Sequence, residues 1–201
     1  MIVVDIETSG LRPLVHGIWQ IGAIDVRRPE RFFLREGMID REDEIDPGSL
    51  RVTKKTEEYL RDSRKETQII LLKRFFNWVN SSREKILVSK PSHFEYQHLT
   101  GRARKYGLEI PFNDVLDLST LFQKRYHEIY GEFCYDGIGM RDILEFCGLE
   151  REIEHDALKD AKQIAECFSR IFYGKPLLPE YSFYPISEQL KKTKRELELA
   201  V

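Results

Sequence analysis

Asp5 and Glu7 stand two residues apart at the end of the apolar run IVVDIE. Successive strand side chains point to opposite faces, so these two carboxyls share one. Two carboxylates that close repel each other. Keeping both ionised in a partly dry site is costly unless a cation lies between them. The bland alternative is a strand end emerging into solvent, since short acidic motifs match by chance. Thr8-Ser9-Gly10 reads as a turn, which puts the acids at the strand's carboxyl end. In open α/β sheets ligands bind at that end.

The second stretch with chemistry in it is EHDALKDAK. His155 comes just before a helix that Asp156 can cap, and Asp160 falls in that helix's first turns. Ala157 and Ala161 are small enough for another backbone or a ligand to approach. The helix dipole alone favours an acid near a helix start, so Asp160 by itself proves nothing. A lone histidine proves no more.

These residues need elements to carry them. Strand patterns run over Ile2–Ile6, Ile18–Val26 and Arg31–Leu34, which suggests an antiparallel meander. TEEYLRD reads as a short helix capped by Thr56. ETQIILLKRFFNWVN sets Ile69, Leu72, Phe76 and Val79 on one stripe of a core-facing helix. KILVSK is a short strand, and HFEYQHLTGRARKYGL is a helix ending near Gly107. NDVLDL is another strand, before a helix that Ser119 can cap. Gly139–Cys147 is a short helix. Asp156–Phe172 is a longer one, with Leu158, Ala161, Ala165, Phe168 and Phe172 inward. The order predicts an α/β fold: a mixed central sheet, three antiparallel strands first, flanked by helices. Residues 1–174 form one domain on this reading. Residues 175–201 follow as a proline- and aromatic-rich segment and a charged helix. That tail packs over the core, against a second copy of the chain as a homodimer, or lies solvated.

Bulk properties narrow the function classes. The chain has 201 residues, 41% hydrophobic and 11% aromatic, enough for one full-sized core. Its net charge of -2 gives no global basic field for wrapping duplex DNA. Bound cations and a local Arg/Lys rim can still attract phosphate. Cys134, Cys147 and Cys167 are scattered, without a CxxC, and read as reduced thiols. Met1 leads into strand residues with no basic leader, and no apolar run approaches the ~18 residues that span a bilayer. A soluble, cytoplasmic protein with no membrane partner is expected.

The combination is more specific than its parts. DxETSGL at the start, IWQIGAI after it and HDALKDA in the last core helix together resemble the DEDDh 3′–5′ exonucleases. That group contains the proofreading subunit of bacterial replicative polymerase and oligoribonuclease. The first motif matches as Asp5, Glu7, Thr8 and Gly10, the third as His155, Ala157 and Asp160. The resemblance implies a ribonuclease H-like fold and a metal-dependent hydrolase acting on nucleic acid. Asp5, Glu7, Glu95 and Asp160 would hold two divalent cations, Mg²⁺ or Mn²⁺, with His155 as general base. Hard oxygen donors suit such cations, whereas zinc favours His and Cys clusters. The substrate would be the 3′ end of single-stranded RNA or DNA, and the product nucleoside 5′-monophosphates. Thr8, Ser9 and Gly10 would offer backbone N–H groups to the terminal nucleotide. Leu11 would wedge against its base and Phe94 would line the same pocket. Arg102, Arg104 and Lys105 form a local basic patch or a solvated helix face.

The second motif departs from the family. It usually reads Asn-x-x-Phe-Asp, and this chain has Pro91, Phe94 and Glu95 in KPSHFEYQHL. Glutamate keeps the carboxylate on a stem one methylene longer, which affects rate and metal preference more than fold. Asp117 is a conceivable substitute ligand, though the family usually uses that aspartate structurally. Two other readings compete. One is a weakened or inactive relative that only binds nucleic acid or a protein. The intact His155 argues against it. The other is a phosphotransfer enzyme with a strand-end Asp nucleophile, which would want a second Asp and a downstream Lys instead.

Overall fold

The computed structural model describes residues 1–135, 138–150 and 155–192. The charged helix expected at the end of the chain falls mostly outside them. Three strands open the chain: β1 (Ile2–Thr8), β2 (Ile18–Asp25) and β3 (Arg28–Met38). Two short helices follow, α1 (Pro47–Thr53) and α2 (Glu57–Leu60), then a two-residue strand β4 (Glu66–Thr67) and helix α3 (Gln68–Asn80). Next come β5 (Ile86–Ser89), α4 (Ser92–Lys105), β6 (Asp114–Asp117), α5 (Leu118–Tyr130), α6 (Met140–Phe146) and α7 (Ala157–Tyr173). A 3₁₀ turn at Pro179–Tyr181 and α8 (Glu188–Lys191) complete the described chain.

The six strands form one sheet in the order β4-β3-β2-β1-β5-β6. β1–β2 and β2–β3 pair antiparallel, and β5 and β6 join β1 in parallel. This is the mixed sheet with three antiparallel strands first that the sequence predicts. Strand alternation divides the core in two. Ile2, Val4 and Ile6 of β1 pack with Leu72, Phe75 and Leu99 from α3 and α4. Val3 faces the other way, onto Ala161, Ile164 and Phe168 of α7. Asp5 and Glu7 continue the Val3 side of the strand, toward the start of α7.

Several boundaries differ from the sequence expectation. β3 runs over eleven residues because its charged positions are mostly solvent-exposed while its backbone stays paired to β2. Helix α1 has no apolar stripe to announce it. Asp46 caps it by accepting from the Gly48 N–H at 2.6 Å, with Pro47 in its first turn. The buried stripe of α3 is Leu71, Leu72, Phe75, Phe76 and Val79, and Ile69 sits at its margin. Phe172 faces out at 52% exposure, and Ile171 takes the inward place. Asp117, not Ser119, caps α5. Thr56 and Asp156 cap α2 and α7 as the sequence predicts. All three cysteines are free thiols. Among the described residues no helix is long and apolar enough to cross a membrane.

Residues 175–192 pack on the core. Glu166 and Arg170 of α7 form a fully buried ion pair at 2.7 Å. Glu166 accepts from the Leu177 and Leu178 N–H groups at 2.8 and 3.0 Å. Arg170 donates to the carbonyls of Tyr181 and Cys147 at 2.8 and 3.0 Å. Each buried charge is thereby both paired and hydrogen-bonded, as its burial requires.

Candidate active site

The carboxyl end of β1 meets the N-terminus of α7 because β2 is shaped to receive it. Gly22, paired with Asp5, lies so close to α7 that a Cβ there would stand 2.2 Å from the Ala157 carbonyl. Gln20, paired with Glu7, accepts from the Ala157 N–H at 2.9 Å through Oε1. Its Nε2 donates to Asp156 at 3.4 Å and Glu36 at 3.3 Å. Asp156 in turn accepts from the Leu158 and Lys159 N–H groups, both at 3.1 Å. His155 adopts φ +47, the left-handed region that non-glycine residues enter at some cost. The docked helix start holds it there. Neither Gln20 nor Gly22 is assigned a role from the sequence. The one hint is an amide inside an otherwise apolar strand.

This docking brings Glu7, His155 and Asp160 together. Each offers one ligand atom, and the three atoms lie within 4.8 Å of one another. Asp5 is half-buried and Glu7 buried. Burial pushes the Glu7 carboxyl up to about 8, helped by Asp160 and Asp156 and opposed by Lys55. Asp5 rises well above the carboxylate range through burial first, then through Glu95, Asp160 and Glu7. Glu95, in the first turn of α4, stands outside the tight trio but beside Asp5, which it raises more than any other charge does. Its own carboxyl is pushed up to about 8 by burial, against the lowering effect of its backbone amide and of Ser89. The Ser89 hydroxyl is near without hydrogen-bond geometry, and Glu95 Oε2 is buried with no partner. Clustered carboxyls raised by one another, an orphaned carboxylate oxygen and an adjacent imidazole fit a hard divalent cation well.

Asp117 has other duties. It accepts from the Ser92 N–H at 2.7 Å and the Ser119 N–H at 2.8 Å, joining the starts of α4 and α5. Burial would raise its carboxyl, but these amides outweigh it and lower it. Beside the acids runs a groove of about 510 Å³ lined by Glu7, Thr8, Gly10, Leu11, Val52 and Phe94 among others. Leu11 is 75% exposed at its lip. Val52 comes from α1, which the sequence does not reveal. Ser9 is the exception among the expected substrate contacts. Its N–H donates to Gly17 O at 2.9 Å, and its hydroxyl accepts from Gly17 N and donates to Glu44 O. It holds the 9–17 loop rather than facing the groove. The basic patch also divides. Arg102 is 1% exposed and paired with buried Asp43 at 2.6 Å, and Lys105 is paired with Glu42 at 2.9 Å. Only Arg104 of the three keeps an exposed, unpaired charge among the described residues.

The exonuclease family RNase_T matches residues 2–168. The chain is 29% identical over 173 residues to the PolC-type DNA polymerase III of Thermotoga petrophila, covering 84% of this chain. It is 24% identical over 170 residues to the PolC-type polymerase of Caldanaerobacter subterraneus subsp. tengcongensis, covering 85%. It spans only 12% and 11% of the length of those polymerases. The nuclease domain of 3′hExo, a DEDDh family member bound to rAMP, superposes with TM-score 0.63 at 18% identity, covering 93% of this chain and 95% of that one. E. coli exonuclease I in complex with a dT13 oligonucleotide superposes with TM-score 0.66 at 17% identity, covering 82% and 39%. At such identities these structures speak for the fold. With the family match across residues 2–168, the chain belongs to the RNase_T exonuclease family.

Proposed function

We propose that the chain removes nucleotides one at a time from the 3′ end of single-stranded nucleic acid, releasing nucleoside 5′-monophosphates. The observation that carries this is the convergence of Glu7, His155 and Asp160 within 4.8 Å, from elements at opposite ends of the domain. Asp5, Glu7, Glu95 and Asp160 hold two divalent cations, Mg²⁺ or Mn²⁺. When bound, such a pair neutralises the carboxylates, lowers the pKa of water and offsets charge developing on the phosphodiester. His155 accepts the proton of the attacking water. Gln20 holds the backbone just after His155, accepting from the Ala157 N–H and donating to Asp156. Leu11 and Phe94 hold the terminal base by apolar contact, which every base can satisfy, so the groove accepts sequence broadly.

The test is a time course with a 5′-labelled single-stranded oligonucleotide. With Mn²⁺ the label should move down a ladder in single-nucleotide steps, and with EDTA it should not. Internal cuts, or shortening that persists in EDTA, would contradict the reading. No cleavage at all would leave a fold kept for binding.

A further inference from the structure

The first N–H groups of a helix have no partner within it. At the start of α7 the Asp156 carboxylate takes those of Leu158 and Lys159, and Gln20 Oε1 takes that of Ala157. Gln20 is a primary amide, with an accepting oxygen at one end and a donating nitrogen at the other. Turned over, it would set its NH₂ against the Ala157 N–H, and the contact would be lost. Something must select the orientation. Glu7, Gln20 and Glu36 stand directly opposite one another on β1, β2 and β3, so the three share one face of the sheet. Gln20 Nε2 donates to Glu36 at 3.3 Å and to Asp156 at 3.4 Å. A flipped amide would instead aim its oxygen at two carboxylates. Glu36 is itself held. The Tyr59 hydroxyl of α2 donates to it at 2.6 Å, and Lys65 pairs with it at 2.8 Å. Burial would raise the Glu36 carboxyl, but Lys65 and Tyr59 outweigh it and lower it, so the acceptor stays charged at neutral pH.

Resting on the exonuclease reading above, we infer that Glu36 is a positioning residue for this reaction. It holds the Gln20 amide in the orientation that receives α7, and through that amide it sets the places of His155 and Asp160. Tyr59 and Lys65 fix Glu36 from the outer side of the row. β2 separates the strand of Glu36 from the strand of Asp5 and Glu7, so the influence passes through Gln20, the residue between them. His155 is the group most exposed to a loosened contact. It lies two residues before Ala157 at φ +47, a conformation that persists only while its surroundings impose it. Without the Ala157 anchor the imidazole and the first turn of α7 shift together, while the groove lined by Leu11 and Phe94 keeps its shape. The reaction then slows with substrate affinity preserved.

The experiment measures kcat and KM on a single-stranded oligonucleotide with Mn²⁺, and the exchange of the Ala157 N–H by nuclear magnetic resonance. Glu36→Leu should lower kcat by about 10-fold and leave KM within about twofold of wild type. Tyr59→Phe removes one hydroxyl and no charge, and should lower kcat by about threefold. In a Gln20→Leu background, Glu36→Leu should change kcat by less than about twofold, because residues that act through one another do not add. The Ala157 N–H should exchange about fivefold faster in Glu36→Leu, the worth of one hydrogen bond. Wild-type kcat in both single variants, or a Glu36→Leu loss that persists in full without Gln20, would overturn the positioning role and leave the exonuclease intact. A wild-type chain that cleaves nothing would overturn the exonuclease reading itself. The exchange rate then decides alone: faster exchange in Glu36→Leu upholds the hold of Glu36 on α7, and unchanged exchange overturns it.

Discussion

Burial leaves the paired acids of the opening strand two ways to avoid uncompensated charge, to take up a proton or to share a cation. At neutral pH, with no metal bound, Glu7 and Glu95 carry raised carboxyls at about 8. In the unfolded chain these groups titrate near 4.5. Their raised values favour the folded state fully below that pH, and the contribution is lost as pH rises through 8. The Tm of the metal-free protein should therefore fall between pH 5.5 and 8.5. Mn²⁺ should raise Tm more at pH 8 than at pH 6, because binding must first expel those protons. A metal-induced shift that is independent of pH would contradict this. His155→Ala should lower kcat by at least about 10²-fold, the usual worth of a general base, while Mn²⁺ affinity measured by calorimetry stays within a few-fold. The resemblance implies the roles of Asp5, Glu7, His155 and Asp160, and the fold brings Glu7, His155 and Asp160 within 4.8 Å of one another. What spacing cannot show is that Ser9 turns inward to the loop and that Arg102 is consumed by Asp43, since both depend on partners far along the chain.

At the scale of elements, the site depends on how α7 is seated. Its start is fixed by Gln20 and by the absence of a side chain at Gly22. Gly22→Ala would push the Ala157 carbonyl away and displace His155 and Asp160 together. Displacements near 1 Å cost on the order of 100-fold in rate, so kcat should fall that far although no ligand is changed. Gln20→Leu should act similarly through the lost Ala157 contact, with circular dichroism showing an intact fold. Wild-type turnover in either variant would mean that α7 is seated by other contacts. The strand-helix order was readable because long apolar periods survive without context, as in α3 and α7. Helix α1 was not, since seven residues with Asp46 and Pro47 as its signals look like a turn until Val52 is seen lining the groove. β3 extends beyond its apolar run because its charges break the alternation while its backbone remains paired.

Across the whole molecule, the described tail is part of the folded unit. Arg170→Met would strand Glu166 as a buried, uncompensated charge, a loss of about 3–5 kcal/mol. Tm should drop by roughly 10 °C by calorimetry. A drop of a degree or less would mean that the tail contributes little. The proposed cage also draws on the whole chain, because Asp5 and Glu7 come from β1, Glu95 from α4 and Asp160 from α7. Counting bound Mn²⁺ by electron paramagnetic resonance titration at pH 8 tests that cage most directly. Two ions per chain in the wild type, reduced to one or none by Asp5→Asn, is the predicted result. A wild-type chain that binds no Mn²⁺ at millimolar concentration, or an Asp5→Asn chain that still binds two, would contradict it.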